Sequence, residues 1–486
     1  MIRAVLRDSF VYGVASILSR GLALFVLPIY TRVLAPADYG ALDMITTFGA
    51  LANLVVALEV SQGLARFWPE CATVDEQKRL ASSAWWFSVV MYALFLVASL
   101  FGAEWINTHL LGDVRFVTAL RLGLVFICLN GLFCLLQNQF RWELRSREYA
   151  LVSMIYSALT LSLGVLFAYG LHLGLPGIMW GQILAAAIAN GIAWWRLRQS
   201  FVLEFDLSQL CMILSFSAPL VPSGLATFVS LYINRLALNS MASLYDVGLF
   251  GIGNRIASVA TLLIIGIQGA LTPLVYAHYQ EPDTPKQLAK LFEWFLAIAL
   301  FSCLGLSLFA RELLLFFATP AYLPGAALVA FLAPALLLSQ MYIFAPGIAI
   351  KKKTHWQLAI TIVTALISAV LNLLLVPRLG VQGAAFATLM TGIVFFSCWV
   401  TASQRLYPIP FRWLSIVTAA LSFAACVLAG QYLELISVTL LESLLAKSAL
   451  LLLVLPLAIV ATGLIQRTEL SQRLDRLRQR FVQRPN

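Results

Sequence analysis

Stretches of about twenty residues without a single Asp, Glu, Lys or Arg recur along this chain, each long enough to cross a ~30 Å hydrocarbon core as a helix. Three of them are 80–103, 356–376 and 413–433. A backbone in lipid has no water to bond, so every N–H and C=O must find a partner inside the chain. That leaves helices or a closed barrel. The alternation of barrel strands is absent, so the expected fold is an all-α integral membrane bundle. Composition agrees. Of the 486 residues, 61% are hydrophobic and 11% charged, against about 25% charged in soluble domains.

Reading apolar runs between charged or Gly/Pro breaks gives about 14 transmembrane helices. They centre on 9–30, 40–65, 82–101, 116–138, 149–170, 175–197, 211–235, 246–276, 291–310, 326–349, 357–376, 381–402, 412–432 and 444–465. The run 9–30 is too long for a secretory signal core and is interrupted by Arg20, so it reads as a retained membrane helix. Basic residues segregate: 23 of the 32 Lys and Arg fall on alternate connections and at the two ends, among them Arg145, Arg147, Arg196, Arg198 and Lys351 to Lys353. The positive-inside bias then puts both termini in the cytoplasm. It also accounts for most of the net charge of +10 without a nucleic-acid partner. In the tail 466–486, Leu470, Leu474, Leu477 and Phe481 recur at helical spacing among arginines. The tail is either an amphipathic helix on the anionic leaflet or a solvated basic segment.

An internal repeat is legible. Gly174-Leu175-Pro176-Gly177 matches Gly380-Val381-Gln382-Gly383, and the same offset of 206 carries Arg145-Ser146-Arg147 onto Lys351-Lys352-Lys353. Asp38-Tyr39-Gly40 matches Asp246-Val247-Gly248 at an offset of 208. The expected organisation is a six-helix lobe over 1–200, a second over 201–405, two further helices over 406–465 and a basic tail over 466–486. An even number of helices per lobe relates the two by a pseudo-twofold axis along the membrane normal, the plan of parallel-repeat transporters with a central substrate cavity.

Ionisable groups at membrane depth are costly, about 2.5–3.5 kcal/mol or more, and normally face a bundle interior or a wet cavity. Arg20 lies on a stripe with Ser9, Gly13 and Ser16, and Asp43 on one with Thr46 and Asn53, with Glu59 elsewhere on that helix. Asn130, Cys134 and Gln137 share a register; Asn234 follows Ser223, Thr227 and Ser230, with Arg235 beside it; Asn254, Ser258, Thr261 and Gln268 share a face, with Arg255 beside them. Arg20, Arg255, Arg235, Asn53, Asn234, Asn254, Gln137 and Gln268 are therefore candidates for a substrate cavity, and Glu59 and Asp43 for ion coupling. The duller reading is that small and hydroxyl residues serve helix packing and that charges near span ends reach the interface. The sign of the deep charges points to an anion, and guanidinium forks suit phosphate. The seven scattered cysteines and four isolated histidines give no metal spacing, and no phosphate-cradling loop precedes a Lys-Ser/Thr. No cofactor is expected.

The opening Tyr12-Gly13, Ser19-Arg20-Gly21, Leu27-Pro28-Ile29-Tyr30-Thr31-Arg32-Val33-Leu34 and Asp38-Tyr39-Gly40 resembles the start of Wzx-type O-antigen and exopolysaccharide flippases. These belong to the multidrug/oligosaccharidyl-lipid/polysaccharide superfamily. The resemblance implies transfer of undecaprenyl-diphosphate-linked oligosaccharides from the inner to the outer leaflet of the bacterial cytoplasmic membrane. It implies a cationic cavity with alternating access, coupled to a proton or sodium gradient, with membrane lipids and polysaccharide polymerase or assembly proteins as partners. Arg20 falls where the family often has a basic residue. The alternatives are a cation-exporting multidrug relative, whose cavity should be acidic, and a peptidoglycan-precursor (lipid II) flippase. A membrane glycosyltransferase or polymerase would need a catalytic carboxylate or a large extramembrane loop, and the loops here are short. A transporter, not an enzyme, is expected.

Overall fold

The computed structural model describes residues 27–436 and 439–464. Arg20 and the tail 466–486 lie outside the described residues. The first half holds α1 (Pro36–Val56), α2 (Val60–Phe67), α3 (Val74–Phe101), α4 (Ala103–Leu110), α5 (Val117–Trp142), α6 (Ser146–Val165) and α7 (Gly174–Leu197). There follow α8 (Leu207–Ser217), α9 (Val221–Met241), α10 (Leu244–Ala257), α11 (Leu262–His278), α12 (Thr284–Leu308) and α13 (Ala310–Phe317). The remainder holds α14 (Ala326–Leu338), α15 (Gly347–Ile350), α16 (Thr354–Leu406), α17 (Trp413–Ile436), α18 (Leu440–Ala449) and α19 (Leu455–Ala461). No strand occurs among the described residues, and 12 of their helical segments are long and apolar enough to cross a membrane.

Helix ends follow from local chemistry. Thr73 caps α3 by accepting a hydrogen bond from the Glu76 N–H at 3.2 Å, while Glu76 accepts from the Thr73 N–H at 3.4 Å. Thr439 and Glu442 repeat this capping box at the start of α18, so orphan amides find partners. The apolar runs 357–376 and 381–402 both fall within α16, where Gly380 interrupts the helical backbone at φ 57° and ψ −134°. Only glycine takes that conformation without a Cβ clash. The sequence predicts one helix over 40–65; instead α1 and α2 are separated by Leu58 and Glu59, at φ 46° and 52°. Two left-handed non-glycine residues in succession cost about 1–3 kcal/mol each.

One helix end recurs at an offset of 208, which pairs Arg145 with Lys353 and not with Lys351 as the expected offset of 206 has it. Leu144 at φ 56° and Lys352 at φ 55° both take the left-handed conformation, and Arg145 and Lys353 follow with the same φ of −89°. The Arg145 N–H then bonds Phe140 O at 2.8 Å and the Lys353 N–H bonds Ile348 O at 3.0 Å. This is the Schellman ending, built twice without its usual glycine.

The chain divides into two compact units. One draws on the described residues up to Ile252 with Leu315–Leu323 and Thr361–Ala387. In it α6 and α7 form an antiparallel pair over α5, closed by Phe133, Leu136 and Phe140 against Val152, Ala189, Ala193 and Leu197. Trp85 joins Trp194 and Phe201 in an aromatic cluster, with ring centroids 5.0 and 5.9 Å away. The other unit draws on Gly253–Leu314, Pro324–Ile360 and the described residues from Thr388 onward. There α12 packs against α14 and α17, and Phe292 lies 4.9 Å from Phe411 and 5.5 Å from Phe344 between ring centroids. Arg412 forks onto Glu293, with Nε donating at 2.6 Å.

Candidate functional site

Within the first unit, α1 and α10 cross backbone against backbone. A Cβ on Gly40 would intrude on the carbonyl oxygen of Leu244 and lie 3.1 Å from the Gly248 nitrogen; a Cβ on Gly248 would intrude on Pro36 O and lie 3.1 Å from the Gly40 nitrogen. Each partner is the other's equivalent at the offset of 208 read from the sequence. A second pair of contacts is reciprocal to within one residue. Thr31 donates from Oγ1 to Phe317 O at 3.0 Å, and Asn239 donates from Nδ2 to Leu110 O at 2.8 Å. Tyr322, fully buried, donates to Leu34 O at 3.0 Å and meets Tyr39 edge to face.

This crossing positions an ion pair within the unit. Asp43 lies one turn beyond Gly40, and Arg235 of α9 donates from Nε to Asp43 Oδ2 at 2.6 Å. The side chains are 13% and 20% exposed, Arg235 the less. The guanidinium is 5.5 Å from the Tyr232 ring centroid and 5.6 Å from that of Phe250, so aromatic faces add to the ion pair. A cavity candidate and an ion-coupling candidate thus neutralise each other.

The remaining candidates distribute as follows. Asn53 accepts from Tyr92 Oη at 2.9 Å, and Gln137 donates to Ser153 Oγ at 2.6 Å. Asn234, buried, accepts from the fully buried Asn372 at 2.6 Å. Glu59 is half-buried at the break between α1 and α2; its carbonyl accepts from the Gln62 N–H at 2.8 Å, while its carboxylate makes no ion pair or hydrogen bond among the described residues. Arg255 and Asn254 on α10, and Gln268 on α11, belong to the other unit and are each partly buried. Arg20 lies outside the described residues.

Sequence reasoning missed two polar groupings. Asn372 sits mid-run on α16 with no charged neighbour to mark it. In the second unit, Lys447 is 1% exposed and reaches Glu312 at 2.7 Å and Glu434 at 3.0 Å, while Arg311 reaches Glu434 at 2.8 Å. A lysine at the start of the apolar run 444–465 was the available signal. At one helix-end connection, Arg145 forks onto Glu148 and also reaches Glu143 at 3.0 Å. The hydrogen bond to Glu148 is the largest of the effects holding its guanidinium pKa above the ordinary value, with burial opposing.

Twelve helical segments among the described residues, long and apolar enough to cross a membrane, define a polytopic, all-helical membrane fold, and solved structures share it. The fold matches a lipid II flippase, MurJ, in an inward closed conformation, with TM-score 0.69 and 15% identity over 93% of this chain and 98% of that one. An inward-facing multidrug resistance MATE transporter of the MOP superfamily matches with TM-score 0.63 and 18% identity, over 80% and 95%. A MOP superfamily transporter from Pyrococcus furiosus matches with TM-score 0.56 and 18% identity, over 83% and 96%. In sequence, a Haemophilus influenzae protein of the Lsg locus is 22% identical over 313 residues, 62% of this chain and 71% of the relative. Residues 5–277 match the polysaccharide biosynthesis protein family, and the chain belongs to that family.

Proposed function

We propose that this protein carries undecaprenyl-diphosphate-linked oligosaccharide repeat units from the inner to the outer leaflet of the bacterial cytoplasmic membrane by alternating access. The observation that carries the reading is the family match over residues 5–277, on a chain whose fold is shared with a lipid II flippase and with multidrug transporters. A diphosphate needs cationic, bidentate donors, and we assign that contact to Arg20 and Arg255. Asn53, Asn234, Asn254, Gln137 and Gln268 are assigned to the polar lining that sugar hydroxyls require. Arg235 is assigned a supporting role, because Asp43 at 2.6 Å already balances its charge.

The same pair argues against export of cations. An acidic cavity needs carboxylates with charge to spare, and of the two candidates Asp43 is held by Arg235, which leaves Glu59 alone. Coupling to a proton or sodium gradient is then assigned to Glu59 rather than Asp43. The distribution of basic residues supports cytoplasmic termini. The reciprocal crossing of Gly40 and Gly248 supports a duplicated six-helix unit with two helices appended.

Deleting the gene in the strain that encodes it tests the reading. Surface glycan should be lost while lipid-linked repeat units accumulate on the inner leaflet, both reversed by the wild-type gene. Unchanged surface glycan with raised sensitivity to cationic drugs would overturn the proposal in favour of drug export.

A further inference from the structure

The last turn of α7 and the residues after it line an open surface cleft of about 390 Å³, formed by Trp195, Arg196, Arg198 and Gln199. The charges around this cleft do not balance. Glu148 is held by both arms of Arg145, at 2.7 and 2.6 Å, and Glu143 is held by the same guanidinium at 3.0 Å. Arg196 reaches Glu148 only at 3.7 Å, and Arg198 makes no ion pair among the described residues. Arg145 also donates to the Arg196 carbonyl at 3.1 Å, which fixes the helix end that presents the two arginines. Both guanidiniums lie against Trp195, 6.0 and 5.3 Å from its ring centroid. Trp195 itself is 60% exposed.

The end of a membrane-crossing helix lies at the depth of lipid headgroups, where an indole is at home between acyl chains and water. Two guanidiniums with carboxylate partners distant or missing, facing a cleft at that depth, offer charge-assisted donors to a phosphodiester. The geometry points to a binding site for the phosphate of an anionic phospholipid, held by Arg196 and Arg198 with its glycerol against Trp195. This site does not depend on what the protein transports.

The test uses the purified full chain in detergent, titrated with phosphatidylglycerol or phosphatidylcholine and read by native mass spectrometry. Phosphatidylglycerol should bind several-fold more tightly than phosphatidylcholine. Arg196→Gln with Arg198→Gln should weaken phosphatidylglycerol binding about tenfold, the scale of a lost charge-assisted pair, and leave phosphatidylcholine unchanged. Arg198→Lys, which keeps the charge and loses the fork, should give a smaller loss and covers the case where the double variant folds poorly. Arg405→Gln, another exposed arginine, should change nothing. Equal phosphatidylglycerol binding by wild type and variants would overturn the site, as would an equal loss from Arg405→Gln, which would reduce it to net charge. Displacement of the lipid by millimolar inorganic phosphate would overturn the lipid as its occupant.

Discussion

Gly40 and Gly248 face each other at a backbone-to-backbone crossing, where a Cβ on Gly40 would intrude on Leu244 O and a Cβ on Gly248 on Pro36 O. The contact is reciprocal, so substitutions on its two sides should behave alike. Gly40→Ala and Gly248→Ala should each lower the thermal midpoint of the purified protein, because overpacking a tight crossing costs about 1–3 kcal/mol. Side-by-side melting curves check this. A shift in one variant without the other would contradict the reciprocity.

The Arg235–Asp43 pair is mostly buried, so removing one partner leaves an uncompensated charge. Arg235→Met and Asp43→Asn should each destabilise by about 3–5 kcal/mol, and the double variant by less than either single change. A double-mutant cycle on denaturation of the purified protein reads the coupling. Additive losses would mean that the two groups do not interact.

Lys447 and Arg311 share Glu434 but differ in burial: Lys447 is 1% exposed and Arg311 is 55% exposed. Lys447→Met should therefore cost several times what Arg311→Met costs, about 3–5 kcal/mol against 1 kcal/mol or less. Equal losses would show that burial does not set the strength of this cluster.

The Glu59 carboxylate has no partner among the described residues, and it sits on a strained break between α1 and α2. If it binds the coupling ion, Glu59→Gln should remove the dependence of transport on the ion gradient while the melting temperature stays near wild type. Proteoliposomes with and without an imposed gradient separate the two effects. Transport by the variant that still follows the gradient would exclude Glu59.

Much of the architecture could be read from the chain because lipid imposes long-range rules on local sequence. Apolar runs marked the spans, and Gly380 fell at the break between two of them that α16 joins. The Asp38-Tyr39-Gly40 and Asp246-Val247-Gly248 match marked a repeat, but not that its two copies cross. The polar stripes of α1 and α9 were also visible, but not their consequence. Asp43 and Arg235 are 192 residues apart, and no local pattern says that they join. Leu58 and Glu59 carry no glycine or proline to announce a left-handed turn, so 40–65 reads as one helix. Asn372 became informative only when Asn234 was found against it.

The central claim is that a diphosphate-linked glycan crosses the membrane past deep arginines, and Arg20→Ala and Arg255→Ala test it most directly. Both variants would be expressed at levels matched to wild type in a strain that depends on this protein for its surface polysaccharide. The account predicts loss of surface glycan with lipid-linked repeat units accumulating on the inner leaflet. Normal glycan export in both variants would contradict it.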